Sequence, residues 1–226
     1  MIMKRYLKIA AYAGIIITCV ISISSCVANA NADPAAGKNV SPLCATDQPA
    51  FTEQTARALI EQWGKGLKWQ GTDSDLRLAV LNIIADNYAN NAVLLPTLSN
   101  KILTSNQNIY GYFYGSDKPG FMAKKPQMKL DKIQGTKALS CGYGSADGDY
   151  TFSVNSPTSG AATINARFTF VYKYFSNPEA AIFIFGNRNY KVDRKPGWYI
   201  VTHHSSIQPT PSNINNYDQL KQDFSF

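Results

Sequence analysis

The stretch GWYIVTHHSS, residues 197–206, runs apolar from Trp198 to Val201 and then presents His203, His204, Ser205 and Ser206 in succession. A short apolar run of aromatic and β-branched residues reads as a β-strand. Neighbours on a strand project to opposite faces, so His203 and His204 cannot chelate one ion together, and no metal site follows from the pair. At most one of them faces an interior, where an imidazole is a candidate proton shuttle at neutral pH.

Working back from this strand, Ala162, Ile164, Ala166, Phe168, Phe170 and Tyr172 share one parity of a long strand. Arg167 falls on the other parity, so if the phenylalanines pack inward it lies on the outer sheet face and needs an anionic partner there. Residues 128–133 alternate as well, and Tyr150, Phe152 and Val154 alternate after an expected turn at Asp147 and Gly148. The first half of the chain has helical spacing instead. Ala56, Leu59, Ile60, Trp63 and Leu67 form one apolar stripe behind a capping Thr52. Leu76, Val80, Ile83, Ile84 and Tyr88 form a second, started by Asp73 or Ser74 and closed by Asn87, Asn90 and Asn91. A short buried strand at 93–95 precedes Pro96. A third helix begins at Ser105, buries Ile109, Tyr112 and Phe113, and stops at Gly115. Helices first and antiparallel strands afterwards predict an α+β domain with three helices on one face of a sheet.

The amino-terminal Lys4, Arg5 and Lys8 precede an apolar run, residues 9–23, that is short for a membrane span and typical of an export signal. Two processing readings stand side by side. Residues 30–32, Ala-Asn-Ala, suit a cut after residue 32, whereas Ile-Ser-Ser-Cys ending at Cys26 resembles a lipobox that would make Cys26 a lipid anchor. The predicted divisions are a signal peptide at 1–32, a flexible linker at 33–50, a domain at 51–208 and a tail at 209–226. The protein is expected to be periplasmic or secreted, meeting a membrane only through such an anchor. Removal of the three leader cations lowers the formal charge of +7 to +4. Two basic clusters, Lys124, Lys125, Lys129 and Lys132, then Arg188, Lys191, Arg194 and Lys195, match no nucleic-acid motif and read as solvated surface. Of four cysteines, Cys44 and Cys141 fall in the folded part, where an oxidising compartment favours a disulfide between them.

The blocks AVLLPTLSN (92–100), the YF pair at 112–113, ARFTFVY (166–172) and WYIVTHHSS (198–206), in this order, resemble the association domain of calcium/calmodulin-dependent protein kinase II. That domain belongs to the nuclear-transport-factor-2-like, or SnoaL-like, superfamily. Exported bacterial relatives are similar again in a cysteine ahead of an Asp-Gly and YTF block, here Cys141, Asp147, Gly148 and residues 150–152. The resemblance implies a cone in which a curved, mostly antiparallel sheet wraps the helices, and assembly into a homo-oligomer of two or more subunits. It points to Thr97, Arg167 and Ser205 as pocket or interface residues. The arginines of the kinase hub pocket align with Phe170 and Ser205, and its glutamate with Thr97, so the hub ligand does not carry over. A second departure is an insertion near 174–197, where the family has a short turn; an added hairpin is expected.

Enzymes of this superfamily place an aspartate, histidine or tyrosine in the cone. His203, His204 and Tyr112 are the candidates here, and Asp86 and Asp149 are expected near element ends. A kinase is excluded, because the chain has no glycine-rich phosphate loop with its lysine, no catalytic-loop aspartate and no DFG. The glycine-rich segment 142–148 precedes a strand and reads as a turn. The expected function is an exported, non-catalytic, self-associating domain with a small ligand in its cone, without cofactor and without nucleic acid. The alternative is a SnoaL-like isomerase or lyase acting on a small organic substrate.

Overall fold

Thr52 opens the first helix, α1 (Glu53–Leu67), by accepting a hydrogen bond from the Thr55 amide at 3.1 Å. The computed structural model describes residues 48–209 apart from 70, 72, 98, 100, 116, 117 and 157–159. The predicted signal peptide, Cys26, Cys44, most of the linker and nearly all of the tail lie outside these residues. Along α1 the residues Ala56, Ile60, Trp63 and Leu67 are buried at helical spacing, as their pattern predicts. Gly64 has a packing role: a Cβ there would come within 2.0 Å of the Met128 side chain, so its absence lets the helix lie close on the sheet.

Helix α2 (Asp73–Asn87) runs straight into strand β1 (Tyr88–Leu95). Tyr88 thus belongs to the strand and not to the helix expected from its spacing, because Asn87 closes the helix one residue earlier by donating from Nδ2 to Ile83 O at 2.8 Å. Helix α3 (Asn106–Tyr114) is capped by Ser105 and ends at Gly115, which sits at φ 105°. A single 3₁₀ turn (Phe121–Lys124) leads to the strands β2 (Gln127–Ala138), β3 (Tyr143–Ser156), β4 (Gly160–Phe175), β5 (Ala181–Phe185), β6 (Arg188–Val192) and β7 (Gly197–Ile207).

Five strands form one sheet in the order β1-β7-β4-β3-β2, with β1 parallel to β7 and the other pairs antiparallel. On β4 the residues Ile164, Ala166, Phe168, Phe170 and Tyr172 are buried under the helices, and Thr163 and Arg167 are exposed on the reverse face. This is the nuclear-transport-factor-2-like architecture: three helices held against a curved, mostly antiparallel sheet.

Asp147 and Gly148 do not form the expected turn. They lie inside β3, and the turn sits earlier, at Cys141 and Gly142, both at positive φ as a tight hairpin requires. Gly148 is instead a point of close approach, where a Cβ would lie 2.0 Å from Lys132 O beside the irregular register of β2. Asp149 is likewise mid-strand. The insertion carries the hairpin β5–β6, which stands apart from the main sheet and packs on α3 through the fully buried Phe183.

The two basic clusters are not wholly solvated. Lys124 is buried, and Arg194 donates from Nε to Ala85 O at 2.9 Å, from NH1 to Asn90 Oδ1 at 2.6 Å and from NH2 to Tyr88 O. The guanidinium therefore satisfies carbonyls that the abrupt end of α2 leaves open, a cation placed at a helix C-terminus.

Candidate functional site in the cone

Inside the cone, six side chains from four elements and one loop form a continuous hydrogen-bonded chain. Trp63 on α1 donates from Nε1 to Tyr88 Oη at 3.1 Å, and Tyr88 Oη lies 2.9 Å from His203 Nδ1. His203 Nε2 lies 3.4 Å from Tyr150 Oη, which donates to Ser205 Oγ at 2.6 Å, and Ser205 Oγ contacts Thr97 Oγ1. Tyr150 gives its hydroxyl proton to Ser205, so His203 Nε2 donates to Tyr150, Nδ1 accepts, and Tyr88, which accepts from the Trp63 indole, donates to it. Between Ser205 and Thr97 either hydroxyl can donate, so the pair keeps one hydroxyl proton that the chain does not use.

Burial, with a smaller contribution from neighbouring His204, pushes the His203 imidazole down to about 3, so it is neutral. Burial also holds the Tyr88, Tyr112 and Tyr150 phenols well above their ordinary value. The cone is thus a neutral, hydrogen-bonding interior. The Phe170 ring stacks on His203 at 4.1 Å between centroids and fixes its plane.

Around the Thr97 end, the apolar walls Leu94, Phe113, Phe121, Phe152 and Ile164 leave a cavity of about 20 Å³. That is space for one or two water-sized groups, on the scale at which roughly 10 to 15 Å³ accommodates one water. Among the described residues, no Asp, Glu, Lys or Arg lines it. Nor do three His, Cys, Asp or Glu side chains converge anywhere among those residues as metal ligands would.

Of the residues singled out from the sequence, Thr97, Tyr112, His203 and Ser205 meet at this cavity. His204 is exposed on the outer face, as is Arg167, whose cross-strand neighbour on β3 is Asp149. Asp86 is outside the cone; burial raises its carboxyl, while Arg194 and Lys195 pull it back. Sequence reasoning missed Trp63, Tyr88 and Tyr150, which look like core aromatics. Tyr150 was within reach of a register argument, since it shares the inward parity of β3 with Phe152 and Val154.

No protein-family model matches the chain, and no curated protein does. Solved structures do match. An iota-carbonic anhydrase from a cyanobacterium, complexed with bicarbonate, is 18% identical, with a TM-score of 0.54 over 72% of this chain and 96% of that one. A protein described as a calcium/calmodulin dependent protein kinase II association domain, from Xanthomonas campestris, is 27% identical, with a TM-score of 0.49 over 73% of this chain and 96% of that one. A nuclear transport factor 2-like superfamily protein from Salmonella enterica is 16% identical, with a TM-score of 0.42 over 69% and 95%. The structural neighbours are thus association-domain-like and nuclear-transport-factor-2-like proteins, and the cyanobacterial structure shares the fold.

Proposed function

We propose that the cone binds bicarbonate and interconverts it with carbon dioxide. The observation that carries this reading is the hydrogen-bond chain that runs to a cavity of about 20 Å³ and ends there in the Ser205 and Thr97 hydroxyls, one of whose protons it leaves unused. A hydroxyl proton offered into a small apolar space suits an oxygen acceptor on a molecule of very few atoms. Carbon dioxide suits the apolar walls, and bicarbonate suits the hydroxyl end. In the hydration direction, a water oxygen attacks the carbon and a C=O electron pair moves onto the oxygen that accepts the unused hydroxyl proton of the Ser205–Thr97 pair. The proton of the water passes to solvent. Preorganised hydroxyls stabilise the charge as it grows on that oxygen. The cyanobacterial enzyme of the same fold was solved with bicarbonate, which accords with the reading.

An isomerase dependent on a carboxylate base is less well supported, because none lines the cavity among the described residues and both ring nitrogens of His203 face phenols. Stopped-flow hydration of carbon dioxide with a pH indicator tests the proposal. A rate above the buffer blank that survives EDTA is expected from hydroxyl donors; a rate equal to the blank sinks it.

Assembly is a second part of the proposal. The outer sheet face carries an uncharged strip, Thr169, Val171 and Thr202, already half-buried in the single chain and flanked by Arg167 and His204. Such a strip suits a two-fold contact with a second copy. Val171→Glu should convert a dimer to monomer in light scattering without loss of helix signal; a monomeric unmodified protein would refute this.

We also propose export, with Cys44 as the partner of Cys141. Mass spectrometry of non-reduced peptides from protein made in the periplasm should contain the linked pair. The mature amino terminus, at Cys26 or after residue 32, distinguishes a lipoprotein from a free periplasmic or secreted protein.

A further inference from the structure

A second concavity, of about 1150 Å³, lies outside the cone between α3, the β5–β6 hairpin and the segment around residues 99–103. Its charged lining is of one sign: Arg77, Lys101 and Lys118, with no aspartate or glutamate among the lining residues described. Arg77 is held in place from one side, its guanidinium 3.9 Å from the centre of the Phe185 ring and 5.1 Å from that of Tyr190. Yet among the described residues no carboxylate pairs with it.

Beside it, Tyr110 is 4% exposed, and its hydroxyl proton has no acceptor of good geometry. A buried hydroxyl normally gives its proton to a partner. Arg77 faces the same hydroxyl, and its charge and hydrogen bond oppose the upward pull of burial on this phenol. The oriented guanidinium and the phenol proton in one groove lack the same thing, an anionic acceptor. The aromatic surface around them, Tyr110 stacked on Tyr114 at 5.1 Å and edge-on to Phe185 at 4.9 Å, offers a flat apolar platform next to that charge. Ile184, 58% exposed, extends it.

We propose that this groove binds a small aromatic carboxylate, its anion on Arg77 and the Tyr110 hydroxyl and its ring against the Tyr114 and Phe185 side. Lys101 and Lys118, both exposed, draw the anion in from the rim. Planar, bidentate carboxylate recognition is what a guanidinium does better than an ammonium, which is why Arg77 and not the lysines is the anchor. The site is separate from the cone and does not depend on the chemistry proposed there.

The test uses benzoate and its uncharged counterpart benzamide. Calorimetry is expected to find benzoate at least about tenfold tighter, as a charge-assisted bidentate contact implies. Amide shifts in NMR titration should fall on α3 and β5 and spare β7. Arg77→Gln should abolish the preference for benzoate, and Tyr110→Phe should weaken benzoate severalfold, with the carbon dioxide hydration rate unchanged in both. If Arg77→Gln does not fold, Tyr110→Phe alone decides, since it removes one oxygen from a packed ring. Equal affinity for benzoate and benzamide, shifts confined to the cone, or no binding of benzoate at about 10 mM each overturns the proposal.

Discussion

Thr97→Val is expected to slow carbon dioxide hydration about 100-fold, the usual cost of one oxyanion donor, while the far-UV spectrum stays unchanged. Valine has the shape of threonine but offers no proton at the end of the chain. Ser205 then keeps the donation from Tyr150 but loses its Thr97 partner. The neighbouring hydroxyl is left with an unsatisfied group, so a loss of about 1 to 3 kcal/mol in stability should accompany the loss of rate. Thr97→Ser separates the two effects, because it restores the hydroxyl and should return most of the rate. Indicator-coupled stopped flow reads the rate, and urea titration reads the stability. A Thr97→Val protein as active as the original would remove Thr97 from the site.

The second large effect is on stability against pH. His203 is wholly buried and its imidazole is pushed from 6.5 to about 3. In the unfolded chain the same group takes up a proton near its ordinary value. Between pH 6.5 and 3 the unfolded state therefore holds a proton that the native state does not, and stability falls as the pH falls through this window. The contribution is fully present above pH 6.5 and is lost progressively below it. At about 1.4 kcal/mol per unit, the whole window is worth roughly 4 to 5 kcal/mol. His203→Gln keeps a hydrogen-bonding side chain without the titration. Urea midpoints of the two proteins should converge as the pH is lowered from 7 to 4; a constant difference over that range would mean that His203 is not held neutral.

The α+β order, the cap at Thr52 and the inward and outward parities of β4 were legible because period-2 and helical patterns follow from local geometry. Which of His203 and His204 faces inward was not legible in this way, because only the register of β7 on β4, pairing His203 with Phe170, decides it. Other features were not legible for identifiable reasons. Tyr88 has helical spacing from Ile84, and only the Asn87 side chain, turning back to Ile83, moves it into a strand. Trp63, Tyr88 and Tyr150 have apolar rings that satisfy the core pattern and polar tips that satisfy the site, so spacing reports only the first role. Arg194 sits in a basic run that resembles solvated surface, yet its side chain reaches carbonyls on α2 and β1 that no local rule places beside it. The candidate carboxylates Asp86 and Asp149 do not line the cavity, which is built from hydroxyls and one neutral imidazole among apolar walls.

Strand β7 is the last of the strands among the described residues and yet lies between β1 and β4. During synthesis, therefore, the sheet is open down its middle until β7 arrives, and β1 and β4 each present an unpaired edge to whatever else is near. The contacts that close the site span 108 residues from Thr97 to Ser205 and 115 from Tyr88 to His203. Such long-range closure makes folding slow for a chain of this size and concentrates the risk of wrong pairing in one late step. It also means that the cone has no partial form: a chain stalled before β7 has neither the imidazole nor the serine, and acquires both at once when that strand docks.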